Sequence, residues 1–117
     1  MLASLNTARG KGNDAKVKAQ LSGLRAAAEV YYDNVGNYGP ASTNSCTTNM
    51  FADAASGMSQ YTNSGNYPAG ATLTCYSTNT AYAVSGLLPG AGGTNSWCVD
   101  SAGNSKLRGT AITSTGC

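Results

Sequence analysis

The chain has 117 residues, 41% of them hydrophobic and only 10% charged, with a formal net charge of +2. That length holds one domain with a modest core, and the hydrophobic share, with seven Tyr and four Cys, argues against disorder. The absence of His excludes Ser–His and Cys–His nucleophilic catalysis and every imidazole metal site.

No apolar run approaches the roughly 18 residues that a membrane-spanning helix needs, and no signal peptide opens the chain. Ser, Thr, Asn and Gly fill most polar positions, which suits an exported protein that packs against copies of itself. Such a protein is expected to have lost a leader, with Met1 an added start. The first periodic segment runs from Ala15 to Asp33. Val17, Leu21, Leu24, Ala28 and Tyr31 recur there at spacings of three and four, the face of a helix that packs on a sheet. Lys16, Lys18, Gln20, Arg25 and Glu29 lie between them. Asn13 or Asp14 is a candidate N-cap. Residues 2–9 are also helix-compatible, but Gly10 and Gly12 would each weaken a continuous helix by about 1 kcal/mol. The stretch Asn34-Val35-Gly36-Asn37 offers residues for a stop.

The middle of the chain reads mostly as loop. One short helical patch is expected on Phe51, Ala55 and Met58, capped by Thr48 or Asn49. Tyr61 to Gly70 is rich in Asn, Ser, Gly and Pro and reads as surface loop. Strands follow. Residues 72–77 alternate, residues 81–87 form a second strand, and Asn79-Thr80 links them as a hairpin. Pro89 to Gly93 reads as a flexible loop. Its glycines lack the Lys and helix start of a phosphate-binding loop. Ser96 to Asp100 is a third strand, with Trp97 as a core anchor, and Ala111-Ile112-Thr113 a weak fourth. A helix followed by consecutive strands is α+β: a long N-terminal amphipathic helix on a small C-terminal antiparallel sheet of three to four strands. The single domain, residues 1–117, divides into helix (1–35), connecting loop region with a short helix (36–71), and sheet with a tied C-terminus (72–117).

Cys46, Cys75, Cys98 and Cys117 contain no close pair of the zinc-binding kind. An even number in a small polar chain points to two disulfides and an oxidising compartment. Spacing does not fix their connectivity. The sequential pairing, Cys46 with Cys75 and Cys98 with Cys117, is expected because it staples the middle loop and ties down the C-terminus.

Chemistry-bearing clusters are scarce. The acids Asp14, Glu29, Asp33, Asp53 and Asp100 are scattered, and no spacing forces two together as a glycosidase would need. Asp100 opens a polar turn, Ser101-Ala102-Gly103-Asn104; one carboxylate is few for calcium. No catalytic residue, cofactor or metal ligand is predicted. Arg9, Lys11, Lys16, Lys18 and Arg25 make the first third basic, either a solvated helix face or a contact for DNA or anionic lipid.

Residues 2–18 resemble the region just after the membrane-spanning half of the type IV pilin N-terminal helix. Residues 24–32, from Leu24-Arg25-Ala26 to Tyr31-Tyr32, followed by Asn37-Tyr38-Gly39-Pro40, resemble the end of that helix in bacterial pilins and type II secretion pseudopilins. Residues 81–84 and Trp97 to Lys106 resemble the strands of such subunits. Each motif is degenerate; their order is the stronger signal. The resemblance implies an apolar helix half ahead of Leu2 that anchors the subunit in the inner membrane and later packs in the filament core, and a leader removed by a prepilin peptidase. It implies self-association in a helical filament, with partial helix unwinding near Gly10 and Gly12 in that filament, an assembly machinery as partner, and a place on the bacterial surface. The function expected is a structural pilin supporting adhesion, motility or DNA uptake, with DNA or surfaces as ligands and no enzymatic activity. Two rivals remain. A pseudopilin would carry calcium in its sheet-side loops, which the acid-poor C-terminal third does not match. A secreted disulfide-bonded binding module would use the loops from Ala41 to Gly70 to recognise a sugar or surface.

Overall fold

The computed structural model describes residues 2–91 and 93–117. One helix, α1 (Leu2–Val35), contains 34 residues. At 1.5 Å per residue it is about 51 Å long, matching the molecule's longest extent of 52 Å. Four strands follow: β1 (Leu73–Ser77), β2 (Tyr82–Leu87), β3 (Ser96–Asp100) and β4 (Ser105–Arg108). They form one antiparallel meander in the order β1-β2-β3-β4. The architecture is α+β.

Helix and sheet meet where the sequence places apolar residues on both. Val17, Leu21, Leu24 and Ala28 are fully buried, and Tyr31 is half-buried against the same core. From the sheet, the alternate residues Cys75, Tyr82, Val84 and Val99 face them. Gly86 lets α1 approach: a Cβ there would lie 2.9 Å from Val17 Cγ1 and 3.4 Å from Leu21 Cδ1. The opposite face of the sheet is covered by the C-terminal tail, with Ala83, Cys98 and Ile112 buried together. The Ile112 N–H donates to Ser85 Oγ at 3.2 Å.

Several elements differ from the sequence reading. α1 does not begin at an Asn13 or Asp14 cap; in the single chain it runs unbroken through Gly10 and Gly12. Helix propagation adds one backbone bond per residue fixed, which outweighs a glycine cost of about 1 kcal/mol once the segment from Val17 is anchored. Gly10 has a packing role besides. The turn Pro89–Ala91 docks on it, and a Cβ on Gly90 would overlap the Gly10 carbonyl. That turn is held and not free, because the Gly90 N–H donates to Asp14 Oδ1 at 2.8 Å. Gly92, in the same predicted loop, lies outside the described residues.

The expected middle helix is split into a 3-10 turn, Asn49–Ala52, and a one-turn helix, α2 (Met58–Tyr61). Phe51 and Met58 are buried, but Ala55 is exposed. Asp53 interrupts the pattern by accepting the Ser56 N–H at 2.8 Å. Thr48 sits at the cap position of the 3-10 turn but makes no capping bond; its hydroxyl donates to Ser45 Oγ at 3.0 Å instead. In the predicted surface loop, Tyr67 is buried and its hydroxyl donates to the Tyr61 carbonyl at 2.6 Å. The fourth strand is Ser105–Arg108 and not residues 111–113. The Asp100 turn folds the chain back four residues after β3 ends, so pairing resumes at once, and Ile112 is left to cover the sheet's far face.

Candidate interaction surfaces

The sulfurs of Cys46 and Cys75 are joined at 2.06 Å, and those of Cys98 and Cys117 at 1.99 Å. The first bond ties the middle loop to β1. The same loop also pairs with that strand: Ser42 and Ser77 exchange backbone bonds of 2.9 Å, and the Ser45 N–H donates to the Cys75 carbonyl at 3.1 Å. This covers part of an otherwise open sheet edge. The second bond pins the tail across the back of the sheet.

Asp100 is the centre of that tail's attachment. One carboxylate oxygen accepts the backbone N–H groups of Ala102 and Asn104, at 3.0 and 2.9 Å. The other accepts the Asn104 amide and the Cys117 N–H, both at 2.9 Å. Burial alone would raise the pKa of this carboxyl; the bonds from Cys117, Asn104 and Ala102 outweigh it and hold the pKa below the ordinary value. Both oxygens are thus engaged by the chain itself, which makes this a polar turn with a structural carboxylate. Arg108 adds a bond from its guanidinium to the Cys117 carbonyl.

A tyrosine cluster closes the other end of α1. The Tyr38 hydroxyl donates to Glu29 Oε1 at 2.9 Å. The Tyr38 ring lies 4.8 Å from that of Tyr32 and 5.1 Å from that of Tyr82. Burial, and then the bond to Glu29, push the Tyr38 pKa up to about 12. Burial likewise raises those of Tyr67 and Tyr82. These rings stay neutral and structural at physiological pH.

Two surfaces among the described residues are open to a partner. The first is the outward side of α1. Among the described residues before Val17 no side chain is buried, and Leu5 is 55% exposed. Arg9, Lys11, Lys16 and Lys18 are exposed along it. Lys18 stands with its ammonium 4.7 Å above the Trp97 ring, so Trp97 is a half-buried platform at the helix flank, packed against the core edge. The second is a cleft of about 440 Å³ between the middle loop and the start of β1, lined by Thr47, Thr62, Tyr67, Pro68 and Leu73. Sequence reasoning missed this cleft, because its walls come from two segments separated in the chain, Cys46–Thr47 and Thr62–Leu73, each unremarkable alone. The apolar face Val17, Leu21, Leu24, Ala28 and Tyr31 is committed to the sheet and leaves nothing for an outside partner.

No family model, curated protein or solved structure matches the chain. Among the described residues, no helix is long and apolar enough to cross a membrane.

Proposed function

We propose that this chain is the exported head of a type IV pilin-like subunit, a structural building block of an extracellular filament without enzymatic activity. The observation that carries the reading is the division of α1. About half of a helix some 51 Å long packs on a four-stranded antiparallel meander, and the other half leaves its outward side uncovered. A subunit that builds a filament through a helix needs this arrangement: a head that folds by itself and a helical stem left for neighbours. Two disulfides support an oxidising compartment. The low charge content leaves few groups to desolvate between copies.

In this reading assembly rests mainly on an apolar segment that continues α1 ahead of Leu2. The gene encoding the native chain tests it. Codons for about twenty apolar residues, including one Glu, directly ahead of Leu2 would support export and assembly through the helix. An ordinary cleavable signal ending there would contradict it.

A second reading is favoured by one observation, the cleft beside Thr47, Thr62 and Tyr67. It lies in the loop region through which a secreted binding module would recognise a sugar. Glycan-array binding by the monomer, abolished by Thr62→Trp, would favour that reading over a filament. The pseudopilin alternative has no comparable support, because the Asp100 oxygens already accept four N–H groups.

A further inference from the structure

The meander has two edges, and the chain covers only one of them with backbone bonds. The β1 edge is met by the middle loop, which bonds to Ser77 and Cys75. At the β4 edge, the bonds flanking the ladders show which groups point outward. The Leu88 N–H donates to the Asn95 carbonyl at 2.8 Å, and the Ser101 N–H to the Tyr82 carbonyl at 3.0 Å. Bonded pairs alternate along an antiparallel ladder, so Trp97 and Val99 bond to β2. Ser96, Cys98 and Asp100 therefore bond to the β4 side, and the Asp100 N–H donates to the Asn104 carbonyl at 3.1 Å. Their partners there are Arg108, Lys106 and Asn104. The N–H and C=O groups of Ser105 and Leu107 point away from the sheet, and among the described residues no backbone bond closes over them.

The side chains of this edge differ between its two faces. Leu107 stands opposite Trp97, on the side of the sheet where α1 lies. The helix lies over β2 and β3, so Trp97 is half-buried and Leu107, one strand further out, is 53% exposed. Lys106 stands opposite Cys98 on the tail side and is exposed. Arg108, on that side too, turns its guanidinium to the Thr110 and Cys117 carbonyls. Asp100 shares the tail side but is buried beneath its four N–H donors. Lys18 holds a second ammonium above Trp97. Among the described residues neither Lys18 nor Lys106 pairs with a carboxylate. The edge thus offers apolar surface on one face and an ammonium group on each.

We propose that the open edge of β4 accepts an extended segment of a partner protein in which acidic side chains alternate with apolar ones. The Ser105 and Leu107 backbone groups extend the ladder to the added strand. The pleat then sends alternate side chains of that strand to opposite faces. Those on the α1 side meet Leu107 and Trp97 and are apolar; those on the tail side meet Lys106 and are acidic. A second copy of β4 is a poor occupant. In the registers that overlap most of both strands, Lys106 falls opposite either its own counterpart or Arg108, and like charges directly opposite destabilise a strand pair. A lysine on an edge strand guards against such self-pairing and leaves the edge open to a strand of opposite charge. The proposal does not rest on the filament reading, which assigns assembly to a segment ahead of Leu2.

The test uses a fluorescent synthetic peptide, Thr-Val-Glu-Val-Glu-Val-Thr, and its counterpart with Lys in place of Glu. Anisotropy is followed as the 117-residue chain is titrated in. The acidic peptide should bind with a dissociation constant on the order of 10⁻⁴ M, several-fold tighter than the basic one. Amide hydrogen exchange then locates it. The Ser105 and Leu107 amides should be unprotected in the free chain and slowed about tenfold or more by saturating acidic peptide. Those of Lys106 and Arg108 should be protected throughout. Ser105→Pro removes an outward N–H without removing a bond to β3, and it should weaken binding about fivefold. Lys106→Glu should reverse the preference between the two peptides. Thermal melts check that both variants stay folded, and the exchange map of the parent chain decides even where one does not. No binding of the acidic peptide at about 1 mM, or equal binding of both peptides, would overturn the proposal. So would protection gained at the cleft beside Thr62 and Tyr67 in place of β4, or unchanged binding by a folded Ser105→Pro. None of these outcomes touches the filament reading, which the upstream coding sequence decides.

Discussion

From Val17 to Ala28, α1 places five side chains in the core: Val17, Leu21, Leu24, Ala27 and Ala28. From Thr7 to Lys16 it places none. The two stretches have the same backbone conformation for different reasons. The later one is helical because burial of its apolar face on the sheet selects that conformation. The earlier one is helical because it continues a helix already nucleated, with Asp14 and Gly10 meeting the turn at Gly90. The comparison teaches that continuity of a helix says little about where its stability comes from.

The largest test of that difference is Leu24→Ala. Leu24 is fully buried between helix and sheet, so its truncation should cost about 3–4 kcal/mol in urea unfolding. Leu5→Ala, at an exposed position in the earlier stretch, should cost less than about 0.5 kcal/mol. Similar losses at both positions would erase the distinction.

A smaller effect sharpens it from the far side of the sheet. Asp100→Asn removes the charge that holds the tail, at an expected cost of about 2 kcal/mol at neutral pH. The sign of the pH dependence follows from the depressed pKa of Asp100. The group contributes its stability above the unfolded value of about 3.9 and loses it as pH falls towards the lower folded value. The variant should therefore lose less stability than the parent on acidification below about pH 4, read by thermal melts across that range.

The smallest effect separates two glycines in the earlier stretch. A Cβ at Gly12 meets nothing within 4 Å, so Gly12→Ala should stabilise by about 1 kcal/mol. A Cβ at Gly10 would lie 3.1 Å from the Gly90 Cα, and Gly10→Ala should lose that gain to strain against the docked turn. Equal gains in melting temperature would mean that the Gly90 turn does not hold this half of the helix.

Much of the fold was legible in local pattern. The apolar spacing of α1 from Val17 and the alternation in β1 follow from period, and β2 and β3 lie where residues 81–87 and 96–100 were read as strands. What pattern could not reach depended on partners distant in sequence. Gly10 reads as a helix weakener until Gly90 is seen against it. Ile112 reads as strand because its burial comes from the back of the sheet and not from a ladder. The short helix on Phe51, Ala55 and Met58 failed at Ala55 because an Asp53 turn competes with the helical period. The basic residues of α1 were visible as a cluster.

The proposed role in a filament is tested most directly on cells that produce the native protein. Surface structures are sheared off and the released fraction is viewed by electron microscopy with an antibody against the head described here. The account predicts thin filaments labelled along their length. Label confined to free monomer, with filaments bare or absent, would contradict it.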